Sequence, residues 1–353
     1  MSTIYGNPLL IGVGKKSQIL QWNNKFSKIV SPGISKTTAP ITVKALCYYD
    51  GYWYGAGNDS AGDMYKLYGA TASALTAVKL ASSRKYPVTG ISCDGTRVFV
   101  CFESNASTYK KRTIVFQDVA IFRSTNTTYN YQTINLDSYS YEDMCMVNSG
   151  SNSASYAMGK TNNKGFITRF PKGSTSGTYK IIPSASGGFI SGCDWNGNAI
   201  FITTNGYICK YIGNNTNYSG QTLACLHGAK MIRSMNGSLF VACVKSDGTY
   251  LYWFKSGADI TTSQPTGHIK ITDEALTIIG MAYAGGLYTV VGVNSAGAIK
   301  VLQSDDAFLT GIYGQSVTLP AGYTPRVMST DGTNICILAD NKTDVCKAMC
   351  KIV

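Results

Sequence analysis

Glutamate and histidine are almost missing from this chain: 353 residues contain only Glu103, Glu142 and Glu274, and only His227 and His268. The shortage narrows the catalytic options. Glycoside cleavage needs two carboxylates at a controlled separation, commonly one with a raised pKa. The remaining acids are aspartates, many in turn positions such as Asp50, Asp94 and Asp331, where the side chain serves local turn chemistry. A nucleophilic triad would need a base and a Gly-x-Ser-x-Gly elbow between strand and helix, and no such elbow occurs. The arginines, Arg84, Arg97, Arg112, Arg123, Arg169, Arg233 and Arg326, share no common spacing that would converge on a substrate carboxylate. Glycine-rich pieces such as Gly55-Ala-Gly57 and Ser186-Gly-Gly188 read as hairpin punctuation rather than nucleotide loops. The expectation is a non-enzyme with no catalytic residues and no cofactor.

Other absences point the same way. No Cys-x-x-Cys pair stands near either histidine, so no metal site is expected. The eleven cysteines are odd in number and sparse for this length. Cys47, Cys93, Cys145, Cys193, Cys209, Cys243 and Cys336 sit in apolar runs, where a free thiol acts as a small core hydrophobe. The opening Met1–Lys16 stretch has no basic region before a short apolar run, which predicts neither a signal peptide nor membrane insertion. Charged residues are only 14% of the chain, and the net charge of +12 is scattered in short clusters: Lys15-Lys16, Arg84-Lys85 and Lys110-Lys111-Arg112. A nucleic-acid partner would favour a basic stripe or tail, so none is expected. Capped apolar stripes at helical spacing are missing too, and almost no helix is predicted.

What the sequence has in abundance is a repeat. An apolar strand, a turn ending in glycine and a second apolar strand recur at Ala45–Tyr54, Ile91–Val100, Gly192–Phe201, Ile232–Val241, Gly280–Thr289 and Val327–Cys336, with a weaker copy at Met144–Gly150. Asp-Gly, Asn-Gly and Gly-Gly reach the positive φ values that a two-residue hairpin needs. The residues before each glycine, Asp50, Asp94, Ser149, Asn196, Asn236, Gly285 and Asp331, are spaced by roughly 47 residues, the size of a four-stranded propeller blade. The reading is all-β: a single seven-bladed β-propeller over residues 1–353, with seven repeats in 41–353 and closing strands in 1–40. Ile19–Lys28 parallels the outer-strand segment Val301–Thr310. The N-terminus is therefore expected to supply the outermost strand or strands of the last blade, closing the ring and removing an exposed edge.

The third strands end alike, in Ile121-Phe-Arg-Ser124, Trp253-Phe-Lys-Ser256 and Val301-Leu-Gln-Ser304. This resembles a decayed Asp-box, the turn between outer strands of sialidase-like propellers, with no full copy of the motif retained. In propellers the blade-to-blade loops and the loops between second and third strands gather on one face, which makes that face the default site. Those loops carry Arg84, Lys85, Tyr86, Lys110, Lys111, Arg112, Tyr139, Tyr141, His227 and Lys230. Tyrosine mixed with Lys and Arg suits sugars or anionic polymers.

The opening Met1-Ser-Thr-Ile-Tyr-Gly-Asn-Pro-Leu-Leu-Ile-Gly-Val-Gly14 resembles the start of tail and other virion-associated proteins of bacteriophages infecting gut Firmicutes. There a Tyr-Gly-Asn-Pro-Leu phrase precedes a longer glycine run, which Lys15-Lys16 interrupts here. The resemblance implies a structural virion protein, made in the host cytoplasm, that contacts other virion proteins and a host-surface glycan or anionic wall polymer. Two alternatives stay open: a carbohydrate-binding lectin or adhesin of non-viral origin, and a degenerate glycan hydrolase.

Overall fold

The structure is a computed structural model, and it describes residues 33–80, 86–103, 114–132, 134, 139–150, 153–212, 217–309 and 311–352. Seven antiparallel four-stranded sheets form the blades of a β-propeller. The innermost strands of blades 1 to 7 are Ile41–Tyr49, Val88–Cys93, Ser140–Val147, Phe189–Trp195, Ala229–Met235, Thr277–Ala284 and Thr324–Thr330. Each lies against its neighbours, and the last returns to the first, so the ring is complete.

Second strands such as Arg97–Phe102 and Ser238–Lys245 are buried over most of their length. The cause is their position, between two strands of their own sheet and under the blades on either side. Coverage of both faces gives near-continuous apolar runs instead of alternation. The apolar core is correspondingly divided into seven clusters, one at each seam between blades. At the seam of blades 2 and 3, for example, Phe99 and Phe116 pack with Tyr141, Phe166 and Phe170.

The repeated glycine turns are of two kinds. At Asp50-Gly51, Asn196-Gly197, Asn236-Gly237 and Gly285-Gly286 both residues have positive φ, the form that matches strand twist. At Asp94-Gly95 and Asp331-Gly332 only the glycine does. There the aspartate carboxylate takes over, accepting the Thr96 and Arg97 amides in one case and the Thr333 and Asn334 amides in the other.

Ring closure follows the expected plan with a shift in place. The outermost strand of blade 7 is Gly33–Thr38, paired antiparallel with Asp344–Lys351, while Ile19–Lys28 lies outside the described residues. The C-terminal stretch Asp344–Lys351 is the third strand of that blade. A further correction concerns Ile121–Ser124. It does not end a strand but falls on the one-turn helix Val119–Phe122 and the turn after it, where the Ser124 hydroxyl donates to the Ile121 carbonyl. At Ser304 the same kind of turn chemistry holds, its Oγ donating to Asp306 and accepting the Phe308 amide.

Candidate functional site

All seven innermost strands line a central cavity of about 540 Å³. Each strand follows an inter-blade connection and ends in its glycine turn, so all seven run in one direction. The channel therefore has a loop-side mouth and a hairpin-side mouth.

Every innermost strand is broken by a β-bulge close to its start. The pairing shifts between Val43 and Ala45, Val88 and Gly90, Tyr141 and Asp143, Phe189 and Ser191, Ala229 and Met231, Ile278 and Gly280, and Pro325 and Val327. The extra residues are Lys44, Thr89, Glu142, Ile190, Lys230, Ile279 and Arg326, and all seven line the cavity. A bulge releases one residue from the ladder and re-aims its side chain. Repeated seven times, it sets a ring of seven chemically different side chains at the loop-side mouth. Glycine follows the bulge where strands crowd: a Cβ on Gly90 would stand 2.6 Å from the Met144 backbone nitrogen, in the next blade.

Three residues further along each strand the character changes. Cys47, Ser92, Cys145, Cys193, Ala282 and Ser329 are small, and Arg233 is the one large side chain in this second ring. Arg233 turns along the wall. Its Nη1 donates to the Ser191 hydroxyl at 2.9 Å and the Gly192 carbonyl at 2.9 Å, and its Nη2 lies 3.5 Å from Asp143. Burial lifts Asp143 above the ordinary carboxylate range, against the pull of Arg233. Glu142 is raised by burial as well, opposed by Lys160 at 3.6 Å.

Arg326 of blade 7 is held differently. Its Nε and Nη2 donate to the two carboxylate oxygens of fully buried Asp340, at 2.9 and 3.2 Å. The same Asp340 accepts the Val43 amide of blade 1 at 3.1 Å, next to the bulge. One seam later in the ring order, Asn58 of blade 1 occupies the matching role, its Oδ1 accepting the Val88 amide of blade 2 at 2.7 Å.

The site residues expected from sequence fall into three groups. Lys230 is a bulge residue on the ring, and His227 is exposed in the connection before it. Tyr86, Tyr139 and Tyr141 are buried, which corrects their assignment to an exposed binding surface. Their rings fill inter-blade clusters because large aromatic area is worth more inside a seam, and the Tyr141 hydroxyl is satisfied by Thr168 at 2.5 Å. Arg84, Lys85, Lys110, Lys111 and Arg112 lie outside the described residues. Sequence reasoning missed Lys44, Glu142, Arg233 and Arg326. The available signal was their place a few residues before a glycine turn, which marks the inner strand but not the bulge.

Among the described residues no cluster of His, Cys, Asp and Glu could hold a metal ion, and no helix is long and apolar enough to cross a membrane. All eleven cysteines are free.

Known structures share the architecture. Virginiamycin B lyase from Staphylococcus aureus, solved with quinupristin, is 13% identical, with 90% of this chain and 99% of that one covered at a TM-score of 0.62. YCF48 from Cyanidioschyzon merolae is 12% identical over 89% of this chain and 98% of that one, with a TM-score of 0.57. The WD40 propeller domain of Doa1 is 10% identical over 90% and 96%, with a TM-score of 0.58. The chain is a seven-bladed β-propeller. At these identities the likeness shows the fold alone. No protein-family model matches the chain, and a search of curated proteins finds no match.

Proposed function

We propose that this propeller is a non-catalytic binding platform carried on a bacteriophage particle, receiving its ligand at the loop-side mouth of the channel for host attachment or particle assembly. The observation that carries the binding part is the ring of seven bulges, which gathers unlike side chains at one opening while the scaffold beneath repeats. The acids facing the cavity are already engaged. Glu142 pairs with Lys160, Asp143 accepts from Ser191 and the Met144 amide, and Asp194 accepts the Asn148 and Gly197 amides. The lyase neighbour was inactivated by replacing a histidine. Here His268 stacks on Tyr252 at an outer strand, and neither histidine lines the cavity. The viral part rests on the opening Tyr5-Gly-Asn-Pro-Leu9 phrase and fits eleven unpaired thiols, which a reducing cytoplasm maintains.

The test is mass spectrometry and antibody labelling of purified particles released from cells carrying the gene. Stoichiometric recovery with the particles is the expected result. Recovery only in the soluble lysate overturns the virion assignment.

A further inference from the structure

We infer that the loop-side mouth binds a phosphate-bearing group between Lys44 and Lys230, an inference that rests on the channel being the binding site. Among the described residues four cations face the cavity: Lys44, Lys230, Arg233 and Arg326. The two arginines are committed, Arg326 to Asp340 as a bidentate pair and Arg233 to Ser191, the Gly192 carbonyl and Asp143. The facing acids Glu142 and Asp143 are matched by Lys160 and Arg233. Lys44 and Lys230 stand apart. Both are exposed, and among the described residues neither has an ion pair.

Their placement is built into the fold. Both are the extra residue of a bulge, on blades 1 and 5, so both are turned out of the sheet at the same level of the channel. At that level blades 4 and 6 present Ile190 and Ile279, and blade 2 presents Thr89. The same ring carries Glu142, paired with Lys160, and Arg326, paired with Asp340. The opening thus combines two ammonium groups with a hydroxyl and the half-buried Ile190, against which a ligand's carbon chain can lie. A cavity of about 540 Å³ is within the usual small-ligand range of roughly 300–1,000 Å³.

The choice of phosphate follows from which cations are free. A planar guanidinium fork matches a carboxylate, and both forks here are occupied. A lysine ammonium is a compact point charge that meets tetrahedral phosphoryl oxygens from several directions. Two of them on opposite sides of one opening suit a group carrying more than one negative oxygen, such as a phosphomonoester on a short polyol.

Calorimetry on the full chain with glycerol 3-phosphate tests this, with inorganic phosphate, glycerol and glutarate as the other arms. Saturable binding of glycerol 3-phosphate is expected with a Kd near or below about 1 mM, weakened by raising the salt because the contact is electrostatic. Inorganic phosphate should compete, and glycerol should not bind. The double variant Lys44→Gln/Lys230→Gln should lose about tenfold or more in affinity, each single variant should lose part of that, and Lys255→Gln on another surface should lose nothing. Because both lysines are exposed, the melting temperature should not move; if the double variant fails to fold, the single variants read the same loss separately. Absence of saturable binding, full affinity in the double variant, or equal affinity for glutarate overturns the inference. Phosphate binding by a protein missing from particles would break the virion assignment alone, and particle-borne protein without phosphate binding would break this inference alone.

Discussion

The two seams flanking blade 1 use the same pair of devices in different chemistry. At each, a polar side chain at the end of one blade's second strand accepts the amide beside the next blade's bulge: Asp340 for Val43, and Asn58 for Val88. At each, a third-strand lysine also reaches across to carbonyls in the next blade's outer loop. Lys347 donates to Thr71 at 3.0 Å and to Ser73, and Lys66 donates to Ile121 at 2.9 Å and Asn126 at 2.8 Å. The difference is charge. Between blades 1 and 2 the acceptor is a neutral amide; between blades 7 and 1, beside the blade assembled from both ends of the chain, it is a buried carboxylate locked by Arg326. At both seams the chain passes from the outermost strand of one blade to the innermost strand of the next, Thr38 to Ile41 and Lys79 to Val88. The break in connectivity lies inside blade 7, where Gly33–Thr38 is held to Asp344–Lys351 by pairing alone. A charge-assisted bond, roughly twice as strong as a neutral one, reinforces the seam of that blade.

The sharpest way to break that comparison is to remove the closing strand. Deleting residues 1–38 takes away Gly33–Thr38 and exposes the edge of Asp344–Lys351. Size-exclusion chromatography should show aggregated protein in place of a monomer, since an unpaired strand edge templates association. A stable monomer would mean that the other seams close the ring unaided.

Point substitutions come next. Asp340→Ala leaves the Arg326 charge and the Val43 amide without their partner and should cost about 3–5 kcal/mol in urea unfolding, as broken buried ion pairs do. Asn58→Ala strands neutral groups and should cost about 1–3 kcal/mol. Equal costs would erase the distinction between the two seams.

Alkaline titration separates the seam thiols from the seam lysines by sign. Burial pushes Cys93 up to about 11, and Cys193, Cys209, Cys243 and Cys350 up to about 12, from an ordinary 9.0. Above pH 9 the unfolded chain releases these protons while the folded one keeps them. Their contribution is complete below pH 9 and is lost as pH rises toward 12, so the melting temperature should fall steadily over that range.

Lys66 runs the other way, and its effect is the smallest. Burial lowers it from 10.5 to about 8, so between those values the unfolded chain binds more protons and the contribution rises with pH. Wild type should therefore gain stability relative to Lys66→Met between pH 8 and 10.5, in parallel melts of the two proteins. A flat difference would place the Lys66 ammonium in a solvent-like setting.

Blade number and ring closure were legible in the sequence because both rest on local signals. A glycine turn declares itself at Asn196-Gly197 whatever surrounds it, and seven such turns at near-constant spacing leave few architectures. The candidate site was legible only at Lys230. Tyr139 and Tyr141 were misplaced because loop position in sequence says nothing about which aromatic is drawn into a seam. The bulge ring was hidden because one extra residue leaves the apolar pattern of a short inner strand almost unchanged. Lys44 and Arg326 look like ordinary exposed positions until the register on both sides of them is known.

The bulges also divide what can vary from what must stay. A residue inside the ladder fixes the register of its strand and packs into a seam, so changing it disturbs a core. A bulged residue is outside the pairing, and where it is also exposed, as Lys44 and Lys230 are, it packs into no seam. Those two positions are therefore separate addresses on one frame, open to rewriting without touching an apolar cluster, whereas Ile279 packs in the core between blades 6 and 7 and Arg326 is tied to Asp340. A new ligand can be met by exchanging the exposed side chains while the ring itself stays the same.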